Sequence, residues 1–103
     1  MTMDELRFID DAASGRYRLL LGSDEVGFIE YDLVGDGSIL IKHTEVPTAH
    51  EGKGFASKLM QSALDHVREQ NKTAIPICPY ALNWVRRHPA YHDVVREDLR
   101  RTL

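Results

Sequence analysis

The apolar positions of the chain change period once, and the change divides the sequence into two halves. In the first half they come in short runs broken by turn residues, the mark of strands. Arg7–Asp10 is a short candidate strand, and Asp11-Ala12-Ala13-Ser14-Gly15 supplies turn chemistry after it. Arg16–Leu21 is a second strand, and Gly22-Ser23-Asp24 is a tight turn. Val26–Leu33, rich in β-branched and aromatic residues, is a third strand, and Gly35-Asp36-Gly37 is a hairpin signal. Ser38–Val46 is the fourth. Every connection is short, so the four strands can form an antiparallel meander.

From Phe55 the period becomes helical. Phe55, Leu59, Ala63 and Val67 fall near one face, with Ala56, Met60 and Leu64 beside them, and the helix ends near Gln70-Asn71. Ala74–Cys78 is a short apolar fifth strand. Pro76 sits awkwardly in it, because proline removes a ladder donor, and it suggests an edge or an interrupted pairing. Tyr80–Arg87 is a second, shorter helix stopped by Pro89. The tail, Tyr91–Leu103, is a small element of undefined type. The order β-β-β-β-α-β-α is an α/β (α+β) arrangement. An antiparallel β1–β4 meander joins through a crossover helix to a parallel β5, and a ligand can sit at the carboxyl ends of the parallel pair.

Composition narrows the classes without choosing among them. A chain of 103 residues is one domain, 1–103. Apolar residues make up 43% and charged residues 28%, an ordinary globular balance. A net charge of -3 with no basic stripe disfavours nucleic acid. No apolar run approaches a membrane span. The acidic start, Met1–Arg7, has none of the regions of a signal peptide. The single cysteine excludes an internal disulfide and fits a reducing, cytoplasmic setting.

The chemistry concentrates after strand four. Gly52 and Gly54 stand at the mouth of the helix with Lys53 between them. Glycine allows close backbone approach, and a helix N-terminus carries unpaired N–H groups and a positive dipole end. Strand, glycine turn and helix together make an anion site, although a turn that only redirects the chain would look the same. The spacing is neither a Walker A motif nor the dinucleotide fingerprint.

His43 and Glu45, two apart on strand four, share a face, and either can act as a general base. Each can equally be structural or a solvated strand-end charge. Cys78 precedes a helix, a position that activates a thiol nucleophile, though a free cysteine more often packs as a small hydrophobe. Tyr80 and Tyr91 are possible acids or packing residues, and Trp84 reads as core. His50 can touch a phosphate, but an exposed loop residue is the commoner reading of its position. Arg86-Arg87 with Arg100-Arg101 read either as a phosphate grip or as solvated charges. His88 and His92 are four apart, but Pro89 breaks the helix that would align them, and no metal site is expected.

Taken together, Glu51-Gly52-Lys53-Gly54-Phe55-Ala56 after strand four resembles the cofactor loop of the GNAT superfamily of acyl-CoA-dependent N-acetyltransferases. Glu51 departs from that loop, where a basic or amide residue is usual. The resemblance is closest to the short GNAT-like domains with a cysteine after strand five. It runs through His43-Thr44-Glu45-Val46-Pro47, Pro76-Ile77-Cys78-Pro79-Tyr80 and His88-Pro89-Ala90-Tyr91, over about residues 5 to 95.

This resemblance implies that acetyl-CoA (CoA) is the cofactor. Its pantetheine arm would pair with the backbone of Glu45 and Val46 between splayed strands four and five. Its pyrophosphate would rest on the amides of Gly52, Lys53, Gly54, Phe55 and Ala56, with Tyr80 and Asn83 facing the acyl end. Cys78, His43 and Glu45 are then the catalytic candidates. The acceptor would be an amine, as a small molecule or a protein lysine or N-terminus, and the protein a monomer or homodimer. A catalytically weak CoA-binding or protein-interaction module is the alternative, and a structural domain that binds no nucleotide the third.

Overall fold

The computed structural model describes residues 5–103; the acidic stretch Met1–Asp4, part of the signal-peptide argument, lies outside them. The strands are β1 (Leu6–Asp11), β2 (Arg16–Leu21), β3 (Asp24–Leu33), β4 (Ile39–Glu45) and β5 (Ala74–Pro76). The helices are α1 (Phe55–Glu69) and α2 (Pro79–Arg87). The strands form one sheet in the order β1-β2-β3-β4-β5. All neighbours are antiparallel except β4 and β5, which run parallel because α1 crosses between them. This is the mixed α/β architecture expected.

The differences from expectation are local. β3 begins at Asp24, inside the expected turn, and β4 ends before Val46. β5 stops at Pro76 instead of reaching Cys78. The tail forms two 3-10 segments, Pro89–Val94 and Glu97–Thr102, and Val95 between them bridges Ala74. Their side-chain pattern carries no helical period, so the sequence left their type open.

Just past the end of α1, Asn71 is left-handed, with φ 56°. Its apolar stripe, Phe55, Leu59, Met60, Ala63, Leu64 and Val67, is buried. It meets Tyr17, Leu19, Ile29 and Ile41 from the sheet in one core cluster. α2 joins the cluster through Ala81, Trp84 and Val85. Trp84 Nε1 donates to Ser57 Oγ at 2.9 Å, which ties α2 to the first turn of α1. Trp84 is thus core, as expected. Arg68 holds the tail by donating to Ala90 O at 2.8 Å and pairing with Asp93 at 2.7 Å. The opposite face of the sheet carries charge pairs: Arg16 with Glu30, and Arg18 with Asp11 and Glu25.

A bulge decides which way the end of β4 faces. The register with β3 runs Ile41 to Tyr31 and then His43 to Glu30, which leaves Lys42 as the extra residue. Ile39 and Ile41 face the core before the bulge. After it, Thr44 stands opposite the buried Ile29 and takes the core side. His43 and Glu45 therefore face the outer side. Gly27 lies against this end of β4, where an added Cβ would stand 3.3 Å from Glu45 O and 3.2 Å from Leu59 Cδ2.

Gly27→Val is expected to lower stability by about 1–3 kcal/mol, because overpacking there presses on backbone that cannot yield. Denaturant unfolding checks it; unchanged stability would mean that β4 and α1 separate freely at this point.

Candidate active site

The candidate site lies where β4 and β5 part. Ile39 N donates to Thr73 O at 2.8 Å, and the pairs Leu40–Ile75 and Ile41–Pro76 complete the ladder. Ile77 N then turns back to Ile75 O at 3.1 Å, a three-residue turn centred on Pro76. Cys78 N takes Ile41 O instead, at 3.1 Å. Pro76 removes no donor from the β4 ladder. Ala74 O, on the same side of β5, accepts from Arg96 N at 2.9 Å and so points away from β4, toward the tail. β4 continues through Lys42, His43, Thr44 and Glu45 with β3 on one side and no β5 partner on the other.

The glycine turn stands at the same end of β4. A 3-10 turn, Thr48–His50, leads into Glu51 and then into α1. Gly52 has φ 76° and Gly54, the N-cap, φ 82°, left-handed values that suit glycine. Neither would meet an atom within 4 Å through an added Cβ, so the space over the turn is open. No side chain caps α1, and no acid sits in its first turn. Its first N–H groups thus face outward with the dipole's positive end. Lys53 is exposed beside them, and Phe55 turns its ring into the core. Ala56 is half-buried and Val46 half-buried at the end of β4.

His50 is half-buried, not an exposed loop residue. Its ring meets Phe55 edge-on at 6.0 Å, and its buried Nδ1 has no hydrogen-bond partner among the described residues. The preceding loop folds back onto Phe55, which the sequence did not reveal.

The catalytic candidates divide between two faces. Cys78 is the N-cap residue of α2, 4% exposed, and its thiol donates to Thr44 Oγ1 at 3.6 Å. His43 and Glu45 are exposed on the outer face of β4. There the His43 ring meets Phe28 edge-on, at 6.3 Å, and Arg16 lies 4.1 Å above the Phe28 ring. Sequence reasoning overlooked Thr44, the residue that Cys78 touches; only the bulge brings it to that side.

On α2 the buried positions are Ala81, Trp84 and Val85, and Tyr80 and Asn83 share the open face. Burial pushes the Tyr80 phenol above its ordinary pKa, so it holds its proton at neutral pH. Tyr91 packs edge-on against Trp84 at 5.0 Å and donates to Asp65 at 2.9 Å, a structural setting. His88 Nδ1 and His92 Nε2 lie 2.6 Å from Trp84 O and 2.9 Å from Val85 O, so both cap the end of α2. Arg86 bonds Thr102 O, and Arg100 bonds Val95 O and Asp93 O, which commits both to the tail. Among the described residues no three side chains gather as metal ligands, and no helix is long and apolar enough to cross a membrane.

Comparison with known proteins agrees with this geometry. A model of the GCN5-related N-acetyl-transferase family matches residues 16–94. Protein NATD1 of Homo sapiens is 36% identical over 70 residues, covering 68% of this chain and 62% of that protein. Protein NATD1 of Gallus gallus matches at the same identity, with 64% of its length covered, so the match spans less than two thirds of these curated relatives. The solution structure of a GCN5-like protein from Staphylococcus aureus superposes with a TM-score of 0.69 at 27% identity, over 91% of both chains. Ribosomal-protein-alanine N-acetyltransferase of Brucella melitensis superposes at 0.54 with 21% identity over 79% of this chain and 60% of its own, a likeness of fold. A parallel strand pair that parts beside an uncapped, glycine-led helix, on a chain matched over this range, makes the protein a member of the GCN5-related N-acetyltransferase family.

Proposed function

We propose that the chain binds acetyl-CoA in the gap between β4 and β5 and transfers the acetyl group to an amine. One observation carries this reading. The unpaired end of β4 and the uncapped start of α1 lie at one end of the sheet, joined by a turn whose glycines leave open space. The backbone N–H groups from Gly52 to Ala56 would hold the pyrophosphate, with Lys53 adding positive charge. The free backbone of Glu45 and Val46 would pair with the pantetheine amides. Tyr80 and Asn83, on the open face of α2, would flank the acyl end. Glu51 carries the wrong charge for this seat, but it is exposed and its backbone is extended. The amides do the cradling, so its side chain can remain in solvent.

Bound acetyl-CoA would supply an activated thioester carbonyl, and CoA would leave as its thiol when the carbonyl carbon bonds to the amine. The chain must position an amine and take its proton. Glu45 and His43 stand exposed on the outer face of β4, open to an acceptor arriving from solvent, and either can receive that proton directly or through water. A second reading passes the acetyl group through Cys78. Its support is the position of the thiol, on Thr44 of the unpaired part of β4. Burial at 4% exposed weighs against it, since buried cysteines are commonly inert.

Calorimetric titration of acetyl-CoA should give micromolar binding to the wild type. Gly54→Asp should weaken it by about a hundredfold or more, because it places a carboxylate and a strained side chain at the pyrophosphate seat. No binding to the wild type would refute the reading.

Incubation with acetyl-CoA without acceptor separates the two routes. Direct transfer leaves the intact mass unchanged. It also leaves acetylation of a lysine peptide or spermidine intact in Cys78→Ala and reduced about 100-fold or more in Glu45→Gln or His43→Gln. An acetyl group trapped on Cys78, with activity lost in Cys78→Ala, would assign the cysteine route.

A further inference from the structure

The two edges of the sheet differ. β5 is covered on its outer side: Val95 bridges Ala74, and Arg96 N donates to Ala74 O at 2.9 Å. β1 has β2 on one side and no strand on the other among the described residues. An antiparallel strand turns the N–H and C=O of every second residue away from its neighbour, so the far side of β1 offers a row of backbone donors and acceptors.

The side chains of β1 divide between the two faces of the sheet. Leu6 and Phe8 pack against the core. Asp10, on the same face, accepts a hydrogen bond from Tyr31 Oη on one oxygen, and His66 Nε2 stands 2.9 Å from the other. The opposite face carries Arg7, Ile9 and Asp11. Arg7 is exposed and takes no part in the ion pairs of that face. Ile9 is half-buried, and Asp11 accepts from Arg18 Nε at 2.9 Å. A carboxylate has about four lone-pair sites, so Asp11 has room for a second guanidinium.

Charges on an edge strand ordinarily repel other strands. In β1 their order makes the edge complementary to itself. A second copy related by a twofold axis normal to the sheet pairs antiparallel and keeps both core faces on one side. Two such registers pair five of the six residues of β1, Leu6–Asp10 or Arg7–Asp11. Centred on Phe8, the pairing sets Glu5 against Asp11 and Leu6 against Asp10. Centred on Ile9, it sets Arg7 against Asp11 on both sides of the axis and Ile9 against Ile9. Opposite charges and apolar pairs directly across an antiparallel ladder are favourable, and like charges are not. On the core face Phe8 then stands across from Asp10, whose carboxylate is already turned inward onto Tyr31 and His66.

We propose that β1 is the interface of a homodimer, in which two copies pair antiparallel about Ile9 and continue one sheet across the axis. β1 is the edge farthest from the gap between β4 and β5, so the proposal does not depend on acetyl-CoA binding. One strand pair makes a small interface, and the dimer is accordingly a weak one.

Analytical ultracentrifugation of the wild type should show a monomer–dimer equilibrium with a Kd of the order of 10 μM. Arg7→Glu and Asp11→Arg each place like charges opposite one another twice, and each should weaken self-association about tenfold or more. Mixed in equal amounts, the two variants should associate about as tightly as the wild type, because each pair is again of opposite sign. A loss of folding in either variant would not be repaired by mixing. In a Cys78→Ala chain, Ile9→Cys should cross-link to a disulfide dimer under copper–phenanthroline, and Arg7→Cys should not. A wild type that stays monomeric to about 300 μM would overturn the proposal. So would variants that associate like the wild type, or a mixture that stays monomeric. If Asp11→Arg unfolds, the cross-link at position 9 decides.

Discussion

The constraint on which the rest depends is the early end of the β4–β5 ladder. A regular parallel ladder would send Ile77 N to Ile41 O. Here Ile77 N folds back onto Ile75 O, and Cys78 N takes the carbonyl on β4. Proline suits the centre of that turn through its fixed φ, and its missing N–H lies on the side of β5 away from β4. After this point the chain is released into α2, and four residues of β4 lose their neighbour. An unpaired strand inside a folded domain is a template for another extended group. The position of α2, the exposure of the β4 backbone and the placing of Cys78 all follow from one displaced hydrogen bond.

Two further devices act at the same end of the sheet. The bulge at Lys42 rotates the strand so that Thr44 takes the core side and meets Cys78, while His43 and Glu45 take the other. Trp84, through Ser57, fixes α2 against the first turn of α1. The helix start, the free strand and the open face of α2 are thereby held by packing, and a ligand need not order them. Such preorganisation lowers the entropic cost of binding. Apolar packing runs through the middle of the sheet, and the far end closes over a polar cluster instead of more hydrocarbon.

Much of this was legible in the sequence, for physical reasons that also mark the limits. β2 and the stripe of α1 are read directly because apolar residues mark their buried positions at spacings of two and about 3.6: Tyr17, Leu19 and Leu21 on the strand, Phe55 to Val67 on the helix. The glycine turn announced itself, since positive φ at Gly52 and Gly54 demands that residue. The shared face of His43 and Glu45 was legible, but not which face, because a bulge leaves no signature in an alternating pattern. Ile39, Ile41, His43 and Glu45 read as one continuous side. β5 read two residues too long because Ile77 and Cys78 are apolar and only the turn at Pro76 ends the strand. The cluster of Asp10, Tyr31 and His66 was out of reach. Its members come from β1, β3 and α1, and nothing local records their meeting.

The central claim is that a free strand and a helix start act together on one ligand. The most direct measurement is an amide-shift titration of the labelled protein with CoA. The account predicts saturable changes in two separate stretches, Gly52–Ser57 and Thr44–Val46, with one common Kd, while Leu33 and Lys72 stay still. Changes at the glycine turn alone would mean that it attracts any phosphate and that β4 takes no part. No change at either stretch would mean that the parting of β4 and β5 serves the fold and not a ligand.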